Sequence, residues 1–145
     1  MATEEDLGPR LAGRLTHRLK RALVDLEALH ERHLAPVGIS ARELALLLFL
    51  EGREPESQQQ AAARLGIDRT TMVGLLDSLE DKGLVARRPD AGDRRRNVVV
   101  LTEAGEAKLQ TATEASDAAE RELLASLAEP ERVQLRALLE RVTAA

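Results

Sequence analysis

Near the start of the chain, apolar residues recur at three- and four-residue steps: Leu11, Leu15, Leu19, Ala22, Leu23, Leu26 and Leu29. One stripe at that period predicts a single long amphipathic helix over about 4–34, ended by Ala35-Pro36-Val37-Gly38. Ser40-Ala41-Arg42-Glu43 has the spacing of a capping box, in which the serine accepts from the third amide and the glutamate reaches back. The helix it opens runs to about Leu50 and is apolar nearly all round, so it is expected to be central and buried.

A second capping box, Ser57-Gln58-Gln59-Gln60, opens a short helix through Ala61, Ala62, Ala63 and Leu65, and Gly66 supplies the left-handed residue that stops it. Asp68 caps a further helix to about Lys82, with Met72, Leu75, Leu76 and Leu79 on its buried side and Gly83 closing it. Two extended stretches follow, over about 84–88 and 95–101, and β-branched Val98-Val99-Val100 is the clearest strand signal. Pro89-Asp90-Ala91-Gly92-Asp93 between them is turn chemistry. Thr102 caps a long alanine-rich helix, and Pro130 starts a last helix carrying Val133, Leu135, Leu138, Leu139 and Val142. The reading is a mainly α chain with a small β-hairpin: one domain over 1–145, with a central module at 36–102 between helical flanks at 4–34 and 103–145.

Composition narrows the function. Phe49 is the one aromatic residue, which disfavours a surface of stacking platforms for single-stranded nucleic acid. With no cysteine, disulfides, thiolate nucleophiles, thiol redox sensing and cysteine zinc sites are all excluded. The acidic start, MATEEDLGPR, lacks the basic and apolar regions of a signal peptide, and the longest apolar run is too short to span a bilayer, so a cytoplasmic protein without a membrane partner is expected. The net charge is −4, but its distribution matters more than its sum. Residues 53–102 hold nine basic and eight acidic side chains, a net of +1, which leaves −5 on the remainder. Arg87, Arg88, Arg94, Arg95 and Arg96 cluster within ten positions, and such a prong attracts DNA from an acidic body because screening confines interactions to roughly 10 Å.

Two short helices joined by Leu65-Gly66-Ile67 read as a helix-turn-helix, since glycine permits the sharp corner that the two apolar residues anchor. In that motif the N-terminal part of the second helix enters the major groove, where Asp68-Arg69-Thr70-Thr71 would present small polar and basic groups to base edges and phosphates. The hairpin that follows carries arginines at its tip and reads as a wing. Arginine suits phosphates and a narrow minor groove because it is always charged and presents five donors. An arginine turn alone is commonly just a solvated loop. The order helix, glycine corner, capped helix, glycine stop and basic hairpin is the specific signal.

At these residues the chain resembles the MarR family. Leu65 to Thr71 looks like that family's helix-turn-helix, Leu79-Glu80-Asp81-Lys82-Gly83-Leu84-Val85 resembles its LExKGLV segment, and Asp93 to Thr102 resembles its wing, DxRxxxVxLT. The resemblance covers nearly the whole chain. It implies a homodimeric repressor, with the first helix and the last two at the interface, bound to a pseudo-palindromic double-stranded operator and released by a small organic ligand, anionic or phenolic. It places Arg95 in the minor groove and has Asp93 orient the wing. The DNA-facing set it implies is Ser57, Gln58, Asp68, Arg69, Thr70, Thr71, Val73, Gly74, Arg87, Arg88, Asp93, Arg94, Arg95 and Arg96. Gly74 and Ser78 depart from the family, which often carries basic residues there. Gly74 inside a helix costs roughly 1 kcal/mol relative to alanine, and two uses are open to it: close approach to DNA or to a neighbouring helix.

His33 lies at the centre of the first helix's apolar stripe and His30 near its edge, three residues away, while His17 points elsewhere. With Arg14 they are candidate effector contacts; the plainer reading is interfacial histidines with satisfied hydrogen bonds and no metal role. Two other functions compete. One is a ligand-independent architectural DNA binder. The other is a protein-interaction module that keeps the fold without DNA, which the missing charges at Gly74 and Ser78 favour and the arginine wing opposes. No P-loop, nucleophile elbow or HExxH is present, so neither catalysis nor a cofactor is expected.

Overall fold

The chain begins with a broken helix. In a computed structural model that describes residues 4–144, α1 (Glu4–Leu7) and α2 (Pro9–Ala12) precede α3 (Leu15–Leu34), where the leucine stripe predicts one continuous helix. Gly8 at φ +75° and Pro9, which has no amide to donate, end one helix and start the next, and Gly13 caps the second. The stripe conceals this because Leu11 and Leu15 keep helical spacing across the break. Met1–Thr3 of the acidic start, and Ala145, lie outside the described residues.

After a 3₁₀ turn at Ala35–Val37 come α4 (Ala41–Leu50), β1 (Glu56–Ser57), α5 (Gln58–Leu65), α6 (Arg69–Asp81), β2 (Val85–Pro89), β3 (Asn97–Leu101), α7 (Glu103–Leu123) and α8 (Glu129–Thr143). The sheet has three antiparallel strands in the order β1-β3-β2, with Val85 opposite Leu101, Pro89 opposite Asn97 and Ser57 opposite Val98. A two-stranded hairpin is the sequence expectation. β1 escapes it because two residues, the second of which opens a capping box, carry no alternation to read.

The chain divides into two compact units, 34–115 and 1–33 with 116–145. The first buries a core of Leu34, Ile39, Leu44, Leu46, Leu47, Met72, Leu76, Leu79, Leu84, Val85, Val99, Leu109 and Ala112. α4 supplies much of it, but Leu48 remains exposed, so this helix is not covered on every side. Gly105 of α7 lies against the backbone of Leu84: a Cβ there would stand 2.0 Å from the Leu84 carbonyl oxygen. Thr102 locks the same corner. Its Oγ1 donates to the Gly83 carbonyl (2.6 Å) and accepts from the Gly105 amide (3.0 Å).

The second unit contains α3, the latter part of α7, and α8. Ala119 is fully buried in it. Yet Leu15 is 69 % exposed, Val142 is 76 % exposed, no residue of α8 is buried, and Leu11, Leu19, Leu23, Val24, Val133, Leu138 and Leu139 are open to solvent.

Candidate nucleic-acid interface

The helix-turn-helix is built by three local devices. Ser57 Oγ accepts from the Gln60 amide (3.1 Å) while Gln60 Oε1 accepts from the Ser57 amide (3.0 Å), which starts α5. Gly66 at φ +64° then ends α5, and the Ile67 amide donates back to the Ala62 carbonyl (3.0 Å). Finally, Asp68 accepts from the Thr71 amide (2.8 Å) and hydroxyl (2.7 Å) and starts α6. These bonds, led by the Thr71 hydroxyl, hold the Asp68 carboxyl below its ordinary range.

Met72, Leu76 and Leu79 bury one side of α6. The other presents Arg69, Thr70 and Gly74 to solvent, with Thr71 and Val73 half-buried. No atom approaches within 4 Å of a Cβ built on Gly74, so this glycine accommodates no neighbouring helix of the chain. Ser78, the other family departure, turns inward and donates to Glu43 Oε2 (3.1 Å).

The wing tip is organised by Asp93. Its Oδ1 accepts from the Arg95 amide (3.1 Å) and Arg95 Nε (3.2 Å), and its carbonyl accepts from the Arg96 amide (3.0 Å). Those bonds, the Arg95 amide foremost, depress the Asp93 carboxyl. β3 therefore starts at Asn97, not Arg95, and strand alternation does not govern Arg94, Arg95 and Arg96, which all lie in the turn. The Arg95 side chain is 91 % exposed. The side chains of Arg69, Arg88, Arg94 and Arg96 make no hydrogen bond or ion pair among the described residues.

Arg87 is different. Its guanidinium donates to Asp77 (2.9 Å) and Glu80 (3.1 Å) on α6 and lies 3.5 Å from Gln58 Oε1, which ties β2 to the helix. Of the two adjacent β2 arginines, Arg88 is the one left free. Between the start of α5, the first turn of α6 and the start of β3 lies a cleft of about 470 Å³. It brings Ser57, Gln58, Arg69 and Arg96 together, and adds Gln59 and Asn97, which sequence reasoning missed. Gln59 sits one position beyond residues already singled out, and only the fold brings Asn97 beside it.

The candidate effector residues lie in the other unit. His30 Nε2 and Ser116 Oγ are 2.8 Å apart, and His33 Nε2 is 2.7 Å from Glu122 Oε2, which also pairs with Arg32. Arg32, then His33, draws the Glu122 carboxyl below its usual range. Arg14 is exposed in the break before α3. None of these three lines the cavity of about 1050 Å³ in this unit; His17, Arg18 and Arg21 do, with Leu19, Leu26, Leu123, Leu127, Leu135 and Leu139.

A profile of the MarR family matches residues 37–96. The HTH-type transcriptional regulator PecS of Dickeya dadantii (strain 3937) is 37 % identical over 107 residues, which make up 72 % of this chain and 64 % of PecS, so the match spans less than two thirds of that relative. A probable transcriptional regulator from Pseudomonas aeruginosa superposes with a TM-score of 0.80 at 31 % identity, over 92 % of this chain and 99 % of the other. The repressor CouR bound to a 23-mer DNA duplex gives a TM-score of 0.83 at 29 % identity, over 98 % of each chain. CouR from Rhodococcus jostii RHA1 bound to p-coumaroyl-CoA gives 0.76 at 29 % identity, over 91 % of this chain and 93 % of that one.

Proposed function

The chain belongs to the MarR family of DNA-binding transcriptional regulators, and from that premise we propose that it is a homodimeric repressor of a pseudo-palindromic operator, relieved by a small organic effector. The observation that carries the reading is a set of arginines in 34–115: Arg69 and Arg96 at the cleft, and Arg88 and Arg94, whose side chains are unpaired among the described residues, with Arg95 91 % exposed and held by Asp93. Guanidinium groups in the same unit as a capped, outward-facing helix start match what a phosphate backbone and groove edges require. In this reading Thr70, Thr71, Val73 and Gly74 face bases, Gln58, Arg69, Arg88, Arg94 and Arg96 serve phosphates, and Arg95 enters the minor groove. Ser57, Asp68, Arg87 and Asp93 act by holding these groups in place.

The protein acts by binding, not by catalysis, and works in the cytoplasm where operator DNA lies. No single helix among the described residues is long and apolar enough to cross a membrane. The effector class is an organic anion or phenol, which the ligand of CouR supports. His30 and His33, three residues apart on one helix, remain with Arg14 the proposed effector contacts, although both rings already have partners on α7. If ligand response survives replacement of both histidines by alanine, they act only in joining α3 to α7.

The test is selection of bound genomic fragments, followed by footprinting and salt titration of Arg95→Ala. A two-fold site with half-sites roughly 10 bp apart is expected. Arg95→Ala should flatten the log–log salt dependence by about one to two units per dimer. Wild-type affinity and slope for Arg95→Ala in an intact dimer would refute the wing assignment.

A further inference from the structure

Glu43 is 6 % exposed, yet its carboxylate makes four hydrogen bonds. The Ser40 amide donates to Oε1 (3.0 Å), which is the capping box of α4. Ser78 Oγ donates to Oε2 (3.1 Å), and Lys82 Nζ stands 3.0 Å from both oxygens. Ser78 and Lys82 are four residues apart, so they project from one side at the C-terminal end of the recognition helix. One buried carboxylate thus cross-links the first turn of α4 to the last turns of α6. Burial pushes its pKa up, but the bonds from Ser40, Lys82 and Ser78 together outweigh that and leave it lowered, so it is ionised at neutral pH.

The apolar contacts of Met72, Leu76 and Leu79 hold α6 to the core without fixing its register, because hydrophobic attraction has no direction. The Glu43 bonds do have direction. A buried ion pair contributes little net stability, and its best-attested use is to specify one arrangement among several. Ser78 is two turns from Thr71, about 10 Å along the axis. Over that lever a tilt of about 5° moves the first turn by about 1 Å, enough to turn a 2.9 Å hydrogen bond to a base into none. We propose that Glu43 is a positioning residue for DNA recognition: through Ser78 and Lys82 it sets the angle at which the first turn of α6 meets the major groove. The same bond explains why a serine serves at position 78, where a basic side chain would lose the short hydroxyl contact.

The proposal rests on the DNA-binding reading, and its test separates the two. Glu43→Gln keeps an acceptor for the Ser40 amide but loses the charge shared by Lys82. Ser78→Ala removes one donor and leaves Glu43 paired. Both variants are titrated with the selected operator and with unrelated duplex at several salt concentrations, with dimer state and melting measured alongside. For Glu43→Gln, operator affinity should fall about tenfold while affinity for unrelated duplex and the salt slope stay at wild-type values. Ser78→Ala should move the same way by less, and the two losses should not add in the double variant because they act through one contact. A general loss of folding would instead lower both affinities together. A wild-type ratio of operator to unrelated binding in folded Ser78→Ala and Glu43→Gln overturns the proposal. So does a reduced salt slope, which would make the cluster a phosphate contact. If the wild-type protein selects no operator, it is the DNA-binding reading that fails.

Discussion

Gly74 and Gly105 are both helical glycines, and the same substitution should act on them with opposite sign. A methyl group at Gly74 meets nothing within 4 Å, so Gly74→Ala should gain about 1 kcal/mol of stability from helix propensity alone. At Gly105 it would collide with the Leu84 carbonyl, and Gly105→Ala should lose about 1–3 kcal/mol as the first turn of α7 is forced off that corner. Urea unfolding of the two variants checks both signs. If Gly74 faces DNA, as proposed, Gly74→Ala should bind operator more weakly although it is more stable. The sequence marks Gly74 because it falls inside a recognisable recognition helix. It gives no mark to Gly105, whose constraint comes from a residue 21 positions away. Arg87 and Arg88 show the same limit: adjacent and chemically identical, they differ only in which one faces Asp77 and Glu80 on α6.

The starts of α4 and α6 and the wing tip depend on carboxylates, and that makes them acid-labile in a defined direction. Glu43, Asp68, Asp93 and Glu122 are all held below their ordinary values: at Glu43 hydrogen bonds and Lys82 together outweigh burial, the largest opposing influence there, and at the others hydrogen bonds lead, aided by neighbouring cations at Asp93 and Glu122. A carboxylate with a lowered folded pKa contributes stability above its unfolded pKa and loses it as pH falls through the folded value, because the unfolded chain takes the proton first. Stability should therefore be flat with respect to these groups near neutrality and decline as pH drops through the ordinary carboxylate range, from about pH 5 toward pH 3. Urea midpoints across that range check it, and Glu43→Gln should reduce the dependence, since it removes one of the titrating groups. These caps were legible because each is written in four consecutive residues, as Ser40 to Glu43 and Ser57 to Gln60 are. The element boundaries that went unread follow from backbone geometry: the stop at Gly8 and Gly13 hidden under a continuous leucine stripe, the two-residue β1, and the turn bonds of Asp93 that delay β3 to Asn97. The buried cross-link from Glu43 to Ser78 and Lys82 joins positions 35 and 39 residues apart, and no local pattern encodes it.

The unit formed by 1–33 and 116–145 cannot be the complete environment of its own leucines. Leu11, Leu15, Leu19 and Leu23 on the N-terminal helices, and Val133, Leu138, Leu139 and Val142 on α8, are all exposed. Isolated exposed leucines need no explanation, but so many drawn from α2, α3 and α8, at opposite ends of the sequence, mark an interaction surface. A second copy of the chain is the occupant that fits the operator reading, because two-fold symmetry repeats the recognition helix at a fixed spacing. The winged unit has its own core, so the proposal assigns DNA reading to 34–115 and dimerisation to the flanking helices. Sedimentation at micromolar concentration should accordingly give a dimer, and the urea midpoint should rise with protein concentration because dissociation is coupled to unfolding. Removing 129–145 deletes α8 with its four exposed apolar residues and should yield a species that no longer dimerises. Its operator affinity should collapse toward that of one half-site, while the circular dichroism of the remaining helices persists. Leu23→Glu should reach the same monomeric end without shortening the chain, by placing a charge on the exposed stripe of α3. A concentration-independent midpoint with a monomeric sedimentation coefficient for the full chain would sink the dimer.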